Sequence, residues 1–186
     1  MFIQTENTPN PATLKFLPGQ VLIEHRTADF PTQSSTTTSP LAAALFDITA
    51  VSGVFIGYDF ITVTKTDEVD WESLKLDILT TLVEHLTSGE KIVCEESFTL
   101  QEHKHSEKDC EVIASIKDLL DTRVRPAVAQ DGGDIVFHKF EDGVVFLHMR
   151  GACAGCPSST MTLKMGVENL MRHYIPEVLE VRPVAA

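Results

Sequence analysis

The chain has 186 residues, of which 43% are hydrophobic and 23% are charged. This apolar fraction is ordinary for a globular protein and excludes wholesale disorder. The 27 acidic residues outnumber the 15 basic ones, so the net charge is −12. Such an excess disfavours nonspecific binding to nucleic acid or to anionic membranes, because both depend on clustered Lys and Arg. We therefore predict no nucleic-acid partner and no membrane partner.

No targeting segment is visible in the first residues. Residues 1–16 lack the basic start and apolar stretch of a signal peptide, and they lack the Arg-rich character of a transit peptide. We expect a protein of the bacterial cytoplasm, with the mitochondrial matrix as the alternative if this is a processed organellar form. In such reducing compartments a C-x-x-C pair points to metal or redox chemistry rather than to a structural disulfide.

The first half of the chain predicts a small α+β domain over residues 1–88. Proline- and glycine-containing dipeptides separate short β-branched and aromatic runs, which is typical of strands joined by turns. Ser39 followed by Pro40 predicts a helix start, and Gly89 predicts the end of a longer helix. The predicted elements are strands over 2–6, 13–17 and 21–24, a Ser/Thr-rich loop over 27–39, a helix over 41–47, a hairpin over 51–56 and 60–65, and a helix over 71–88.

Residues 89–106 are polar without a helical stripe, and they predict a linker to a second domain over 107–186. The second domain has the order α-β-β-loop-α-β, so both small domains belong to the α+β class. It is also less acidic, with 8 basic and 10 acidic residues over 110–186. Its predicted elements are a helix over 112–124 that Pro126 ends or kinks, strands over 135–140 and 144–149, a helix over 157–172 and a strand over 178–182.

The chemistry-bearing motif of the second domain is a C-x-x-C formed by Cys153 and Cys156. Two intervening residues allow both sulfurs to face one metal centre from a single turn. Gly151 and Gly155 permit positive φ and a close approach of the main chain to a bound group. Pro157 suits the first position of a helix, so Cys156 is expected at a helix N-terminus, where the dipole favours thiolate.

The number of cysteine ligands defines the site. Zinc and iron–sulfur centres usually take four protein ligands, whereas this loop offers two. Cys94 and Cys110 are isolated and read as ordinary cysteines, while His103, His105 and His148 have no ligand-like spacing to the pair. A second copy of the chain is the simplest source of the missing two thiolates. That arrangement predicts a homodimer with a cluster on its two-fold axis, exposed enough to be transferred.

Two other functions use the same motif. A C-x-x-C at a helix N-terminus suits a thiol–disulfide oxidoreductase, although the preceding strand comes from a hairpin rather than the usual βαβ context. A structural zinc module is the other alternative, and the missing second ligand pair disfavours it. Three helical methionines, Met161, Met165 and Met171, are expected to fill the core, and Asp131 and Asp134 are expected to shape the turn around Gly132-Gly133.

Three stretches resemble the NifU/Nfu family of iron–sulfur cluster carriers. The first is Met149-Arg-Gly-Ala-Cys153-Ala-Gly-Cys156-Pro-Ser-Ser-Thr-Met-Thr-Leu163-Lys-Met-Gly166-Val-Glu168, and the second is Val124-Arg-Pro-Ala-Val-Ala-Gln-Asp131-Gly-Gly-Asp134. The third, Gln4-Thr-Glu-Asn-Thr-Pro-Asn-Pro11 with Leu14-Lys-Phe16, is similar to the N-terminal domain of the mitochondrial-type members.

The resemblance implies a carrier rather than an enzyme. Cys153 and Cys156 of two protomers would bind one cluster, usually [4Fe–4S], with [2Fe–2S] left open. The cluster would come from an upstream scaffold and pass to apo client proteins. No stretch resembles the scaffold or ferredoxin-like regions of the long NifU architecture, which favours late-stage carriage over primary assembly.

Overall fold

The computed structural model describes residues 2–24, 27–94, 107–154 and 157–184. The chain divides into two compact units, Met1–Thr99 and Leu100–Ala186. Each unit combines helices with its own sheet, which confirms the predicted α+β class. None of the helices formed by the described residues has the length and apolar character needed to cross a membrane.

The first unit is built on a five-stranded antiparallel sheet of order β1-β2-β5-β4-β3. One face of this sheet and the helices enclose an apolar core in which Phe16, Leu41, Ile61 and Ile78 are fully buried. The elements are β1 (Gln4–Asn7), β2 (Thr13–Leu17), β3 (Ala28–Phe30), α1 (Pro40–Phe46), β4 (Val51–Ile56), β5 (Ile61–Lys65) and α2 (Trp71–Ser88).

Local chemistry sets the ends of both helices in this unit. The Ser39 hydroxyl accepts a hydrogen bond from the Ala42 amide at 3.0 Å and thereby caps α1, with Pro40 in its first turn. Asp70 precedes α2, although its side chain makes no capping hydrogen bond. Gly89 ends α2 in the left-handed conformation, with φ of 75°, which glycine adopts without the steric cost of a Cβ.

The region between β2 and α1 differs from the prediction. Residues 21–24 form no strand; instead, the amides of Leu22 and Ile23 both donate to the Tyr58 carbonyl, at 2.7 and 3.3 Å. The edge strand β3 lies within the segment predicted as a Ser/Thr-rich loop. It forms because Ala28 and Phe30 both point into the core, and the polar residues that follow it form a 3-10 helix. This three-residue alternation of apolar and polar side chains is too short to predict a strand within a polar segment.

The residues just beyond α2 extend the first unit. Ile92 and Val93 pack against its core. The Ser39 hydroxyl donates to the Ile92 carbonyl at 2.6 Å, and the Cys94 amide donates to the Thr38 carbonyl at 2.6 Å. Residues 95–106 of the predicted linker lie outside the described residues.

The second unit packs its helices on a three-stranded sheet of order β6-β7-β8. Strand β7 pairs antiparallel with β6 and parallel with β8. Ile116, Ile135, Leu147, Met171 and Val181 are fully buried in its core. The elements are α3 (Glu107–Leu119), a π-helical turn (Leu120–Val124), α4 (Arg125–Gln130), β6 (Gly133–Glu141), β7 (Val144–Gly151), α5 (Pro157–Tyr174) and β8 (Glu180–Val184).

Two local features of this unit explain how its chain is routed. The helix continues past Pro126 as α4, because the π-helical turn just before it lets the Arg125 amide donate to the Leu120 carbonyl, five residues back. The β6–β7 hairpin turns at Asp142 and Gly143, whose φ angles of 49° and 79° fit a two-residue hairpin turn. The strand order therefore brings the end of β7 beside the start of β6.

Candidate cysteine site

The C-x-x-C loop begins where β7 ends, beside the Gly-Gly turn that opens β6. Gly151 pairs with Gly133 across the hairpin. The Ala152 amide then donates to the Gly132 carbonyl at 3.1 Å, and the Cys153 amide donates back to the Arg150 carbonyl at 3.3 Å. These bonds fold the chain tightly, so the position of Cys153 is fixed by backbone rather than by flexible side chains.

Gly133 leaves the space that the Cys153 sulfur occupies. A Cβ built on Gly133 would overlap Cys153 Sγ and would lie 2.8 Å from the Arg150 carbonyl oxygen and 2.9 Å from the Cys153 amide nitrogen. Separations this short are not tolerated, and two of the three atoms are backbone that cannot move away alone. Gly133 is thus required for this close approach of loop and strand.

The Cys153 side chain is buried, with 5% of the residue exposed. Burial, together with the negative charges of Asp131 and Asp134, raises the pKa of the Cys153 thiol to about 12. In this state the sulfur carries its proton at neutral pH, and it becomes a strong ligand only when a metal displaces that proton. The effect on Cys153 is opposite to the thiolate-favouring environment expected for Cys156.

A partly buried ion pair lies beside the Gly-Gly turn. Arg125 of α4 donates through Nε and Nη2 to the two carboxylate oxygens of Asp134, at 2.8 and 3.0 Å. Asp134 Oδ1 also accepts from the Ile135 amide at 2.8 Å, and Arg125 Nη1 donates to Asp121 at 3.0 Å. This bidentate pair raises the pKa of Arg125 and ties the helix to the first residues of β6.

The sequence interpretation recognised Asp134 only as part of a turn and missed Arg125 as its partner. The side chain of Asp134 is 4% exposed, so the carboxylate is part of the packed unit rather than a solvated turn residue. The sequence does contain a signal for this pair: Asp134 lies at the start of an apolar strand, and Arg125 lies in the helix just before the Gly-Gly turn. Such a buried acid needs a cation within reach.

The other predicted ligands fall in different places. Cys156 lies outside the described residues, so its expected position at a helix N-terminus stays a prediction; α5 begins at Pro157. His103 and His105 also lie outside the described residues. Cys94 belongs to the first unit and Cys110 is exposed on α3. Within the described ranges no group of three or more His, Cys, Asp or Glu side chains comes together.

The methionine prediction was correct at one position and wrong at two. Met171 is fully buried in the core of the second unit, whereas Met161 and Met165 are 61% and 58% exposed. The reason is helical geometry: Val167 and Met171 face the sheet, while positions 161 and 165 lie on the outer side of α5. Met165 is followed by Gly166, which has open space around its Cα.

Both units match known protein families in the order in which they occur. Residues 3–89 match the model described as "Scaffold protein Nfu/NifU N terminal", and residues 116–182 match the "NifU-like domain" model. Together these cover most of the chain, and each match falls within one structural unit. The chain belongs to the Nfu/NifU family.

Two relatives that match nearly the whole of this chain agree with this assignment. The chain is 52% identical over 185 residues to the human "NFU1 iron-sulfur cluster scaffold homolog, mitochondrial", covering 99% of this chain and 72% of the relative. It is 49% identical to the Arabidopsis thaliana "NifU-like protein 5, mitochondrial", covering 96% of this chain and 66% of the relative. A solution NMR structure of a NifU-like protein from Saccharomyces cerevisiae is 30% identical, covers 52% of this chain and 87% of its own, and superposes with a TM-score of 0.42.

Proposed function

We propose that this protein carries an iron–sulfur cluster as cargo, bound by Cys153 and Cys156 from each of two protomers. The observation that carries the proposal is the buried Cys153 thiol, fixed by a backbone turn against Gly133 at the start of the C-x-x-C loop. The family membership and the relatives named as iron–sulfur scaffold homologues support cluster assembly as the setting.

The dimer follows from ligand number. One chain offers two cysteines in this loop, and among the described residues no group of three or more His, Cys, Asp or Glu side chains comes together. A [4Fe–4S] cluster takes four thiolates, so two copies of the loop complete it. We propose this cluster type ahead of [2Fe–2S], with one cluster per homodimer.

Ligand exchange accounts for loading without an enzyme-like turnover. When a donor cysteine thiolate leaves an iron and the Cys153 sulfur binds the same iron, one Fe–S bond breaks and one forms. The proton released by Cys153 moves to the departing donor thiolate. No electron is transferred and no covalent bond of a substrate is cleaved, so the protein acts as a carrier rather than an enzyme.

The environment of Cys153 favours release of the cluster. Because burial and two carboxylates raise the pKa of this thiol, its protonated form is stabilised when the iron departs. The thiolate–iron bond is therefore weakened relative to one made by a solvated cysteine. We propose that this bias drives transfer to client proteins whose cysteines hold the cluster more tightly.

The relatives also bear on where the protein works. The relatives above carry names that place them in mitochondria, which favours the mitochondrial matrix and does not support the expectation of bacterial cytoplasm. The partners we propose are an upstream scaffold that donates the cluster and apo client proteins that accept it. We also propose that residues 1–88 and 107–186 form separate domains, with residues 89–106 between them; the first part of that segment packs against the first unit.

The test is anaerobic reconstitution of the full chain with iron and sulfide, followed by quantification of iron, sulfide and zinc. We expect about four irons and four sulfides per dimer. The loaded protein, made with radiolabelled iron, is then mixed with an apo [4Fe–4S] enzyme. Label should move to the enzyme and restore its activity faster than free iron and sulfide do in the presence of a chelator.

The two alternatives predict different results. A zinc module would hold zinc without sulfide, and a thiol–disulfide oxidoreductase would cycle between dithiol and disulfide with no iron requirement. Retention of the label by this protein, with no recovery of client activity, would refute the carrier role while leaving cluster binding intact.

A further inference from the structure

Two histidines meet on the sheet of the second unit, away from the cysteine loop. His138 lies on β6 and His148 on β7, and the two imidazoles contact each other across the hairpin. Nε2 of His148 lies 3.1 Å from Nδ1 of His138, with ring centroids 4.6 Å apart and planes at 72°. Of these residues the sequence interpretation considered only His148, and only as a partner for the cysteines.

A β-bulge builds this contact. The pairing of β6 with β7 shifts between Phe137 and Lys139, so His138 is the extra residue of the bulge. Bulges re-aim a side chain and recur beside functional sites. Here the bulge sets His138 next to His148 instead of opposite a single partner residue.

The pair lies on the opposite face of the sheet from the cysteine site. Leu147 and Met149, which flank His148 in β7, point into the core that also includes Cys153. Because side chains alternate along a strand, His148 points to the other face. A ligand bound by the histidines would therefore not compete with a cluster bound by Cys153.

The separation of the two nitrogens fits one transition-metal ion. Imidazole nitrogens bind such ions at about 2.0–2.1 Å. Two nitrogens 3.1 Å apart then subtend an angle of about 98° at the metal, between the square-planar and tetrahedral values. Loading needs no net proton loss, because the ring that donates its N–H to the other can carry that proton on its second nitrogen.

The charge state of His148 suits a metal ligand. Partial burial, together with the neighbouring His138 and Arg150, lowers the pKa of His148. Its ring is therefore neutral at neutral pH, which is the form that binds metals. Lys139 is held by Glu141 at 2.7 Å, which partly offsets its charge near the site. Arg150 opposes a bound dication, so we expect a reversible site rather than a permanent one.

We propose that His138 and His148 form a two-histidine site for a divalent late first-row transition-metal ion such as Ni²⁺, Cu²⁺ or Zn²⁺, with water completing the coordination. This site is independent of the proposed cluster function.

The test is a titration of the tag-free full chain with Ni²⁺, monitored by NMR of the histidine side-chain nitrogens. Because the readout is residue-specific, metal bound at cysteines does not interfere. The resonances of His138 and His148 should broaden together and at the lowest Ni²⁺ concentration. His138→Gln and His148→Gln should each raise the concentration needed at the remaining histidine by about tenfold or more.

Two matched variants serve as controls. His173→Gln changes an exposed histidine of α5, and His103→Gln with His105→Gln changes the other closely spaced pair in the sequence; both should leave the response of His138 and His148 unchanged. As a second readout, Cu²⁺ added to a chain with all four cysteines replaced by serine should give an electron paramagnetic resonance spectrum with coupling to two imidazole nitrogens.

The proposal is overturned if His103 and His105 broaden first. It is equally overturned if His148 responds the same way in His138→Gln, because the two rings would then bind separately or only share a hydrogen bond. Neither result bears on cluster binding, which is measured separately through sulfide.

Discussion

The two units both belong to the α+β class but place their buried polar groups differently. In the first unit several of these groups bond to the backbone: Ser39 caps α1, and the Asn10 side chain accepts from the Ala12 amide in a turn. In the second unit the buried carboxylate of Asp134 and the buried thiol of Cys153 both lie at the Gly-Gly turn. The comparison indicates that buried polar groups of the first unit stabilise helix and turn geometry, whereas the second unit places a buried carboxylate and a buried thiol at the cysteine loop.

The two units also differ in net charge. Residues 1–88 carry 4 basic and 11 acidic groups, whereas residues 110–186 carry 8 and 10. An acidic first unit and a nearly balanced second unit are suited to different contacts, since electrostatics steers encounters with partners. Because the proposed ligands lie in the second unit, substitutions in the first unit should change the free energy of unfolding without changing cluster binding.

The largest effect is expected from the proposed ligands. Cys153→Ala and Cys156→Ala should each abolish cluster binding, because a homodimer of either variant keeps one loop thiolate per protomer and so offers two of the four ligands that the cluster takes. Cys94→Ala, in the first unit, and Cys110→Ala, on the exposed side of α3, should bind the full amount of iron and sulfide. Sulfide analysis after anaerobic reconstitution measures this. Equal loss in Cys110→Ala would mean that the ligand set is wrong.

Glycine substitutions test the comparison next. Gly133→Ala should destabilise the second unit by about 1–3 kcal/mol, as overpacking does, and should reduce cluster binding because the new Cβ displaces the Cys153 sulfur. Gly57→Ala places a Cβ against the Phe60 ring in the first unit. It should lower stability while leaving the stoichiometry of iron unchanged in the folded protein.

A third glycine supplies the matched control. Gly166 lies in α5 with nothing within 4 Å of an added Cβ, so Gly166→Ala should raise the free energy of unfolding by about 0.5–1 kcal/mol. Denaturant unfolding measures the stability of all three glycine variants, and sulfide analysis measures their cluster content. If Gly57→Ala and Gly133→Ala lost the cluster equally, the loop would have no special dependence on Gly133.

The Arg125–Asp134 pair should contribute a smaller amount. Asp134→Asn should lower the free energy of unfolding by about 1–2 kcal/mol, less than for a fully buried pair, because Arg125 is 36% exposed and keeps Asp121. Glu141→Gln, which breaks the exposed Lys139–Glu141 pair, should cause no measurable change. Urea titration compares the two, and an equal loss would show that burial of Asp134 does not matter.

A dependence of stability on pH is expected from Cys153. The pKa of Cys153 is raised to about 12 in the folded protein, so the folded state holds this proton more tightly than the unfolded chain does. Its contribution to stability is present below the unfolded pKa and is lost as the pH rises towards 12. The decline should be weaker in Cys153→Ser, as measured by unfolding at several alkaline pH values.

The same pKa makes a kinetic difference between cysteines. At pH 8, iodoacetamide should modify the exposed Cys110 well before Cys153, because the reactive species is the thiolate and Cys153 is buried and protonated. Peptide mass spectrometry of timed samples follows both sites. Faster modification of Cys153 would contradict the protected thiol that the release mechanism needs.

Features set by local sequence were predictable. The hairpin turn at Asp142-Gly143 and the end of α2 at Gly89 depend on residues that tolerate positive φ, and both are present in the structure. The short strand β3 was not predictable, since its pairing with β4 is a tertiary contact. The same is true of the parallel pairing of β8 with β7, which depends on the intervening α5.

The chemistry of the candidate site was only half predictable. Spacing alone identified Cys153 and the glycines around it. The burial of Cys153, its raised pKa and its contact with Gly133 arise from the β6–β7 register, which brings residue 133 beside residue 151. Arg125 and Asp134 are nine positions apart and meet only because α4 folds back onto β6.

Native mass spectrometry of the anaerobically reconstituted chain tests the central claim most directly. It measures the mass of the intact complex, including the protein chains, the metal and the sulfide. The account predicts a dimer whose extra mass equals one [4Fe–4S] cluster, and a cluster-free chain for Cys153→Ala. A monomer carrying zinc and no sulfide, or a monomer holding a complete cluster, would contradict it.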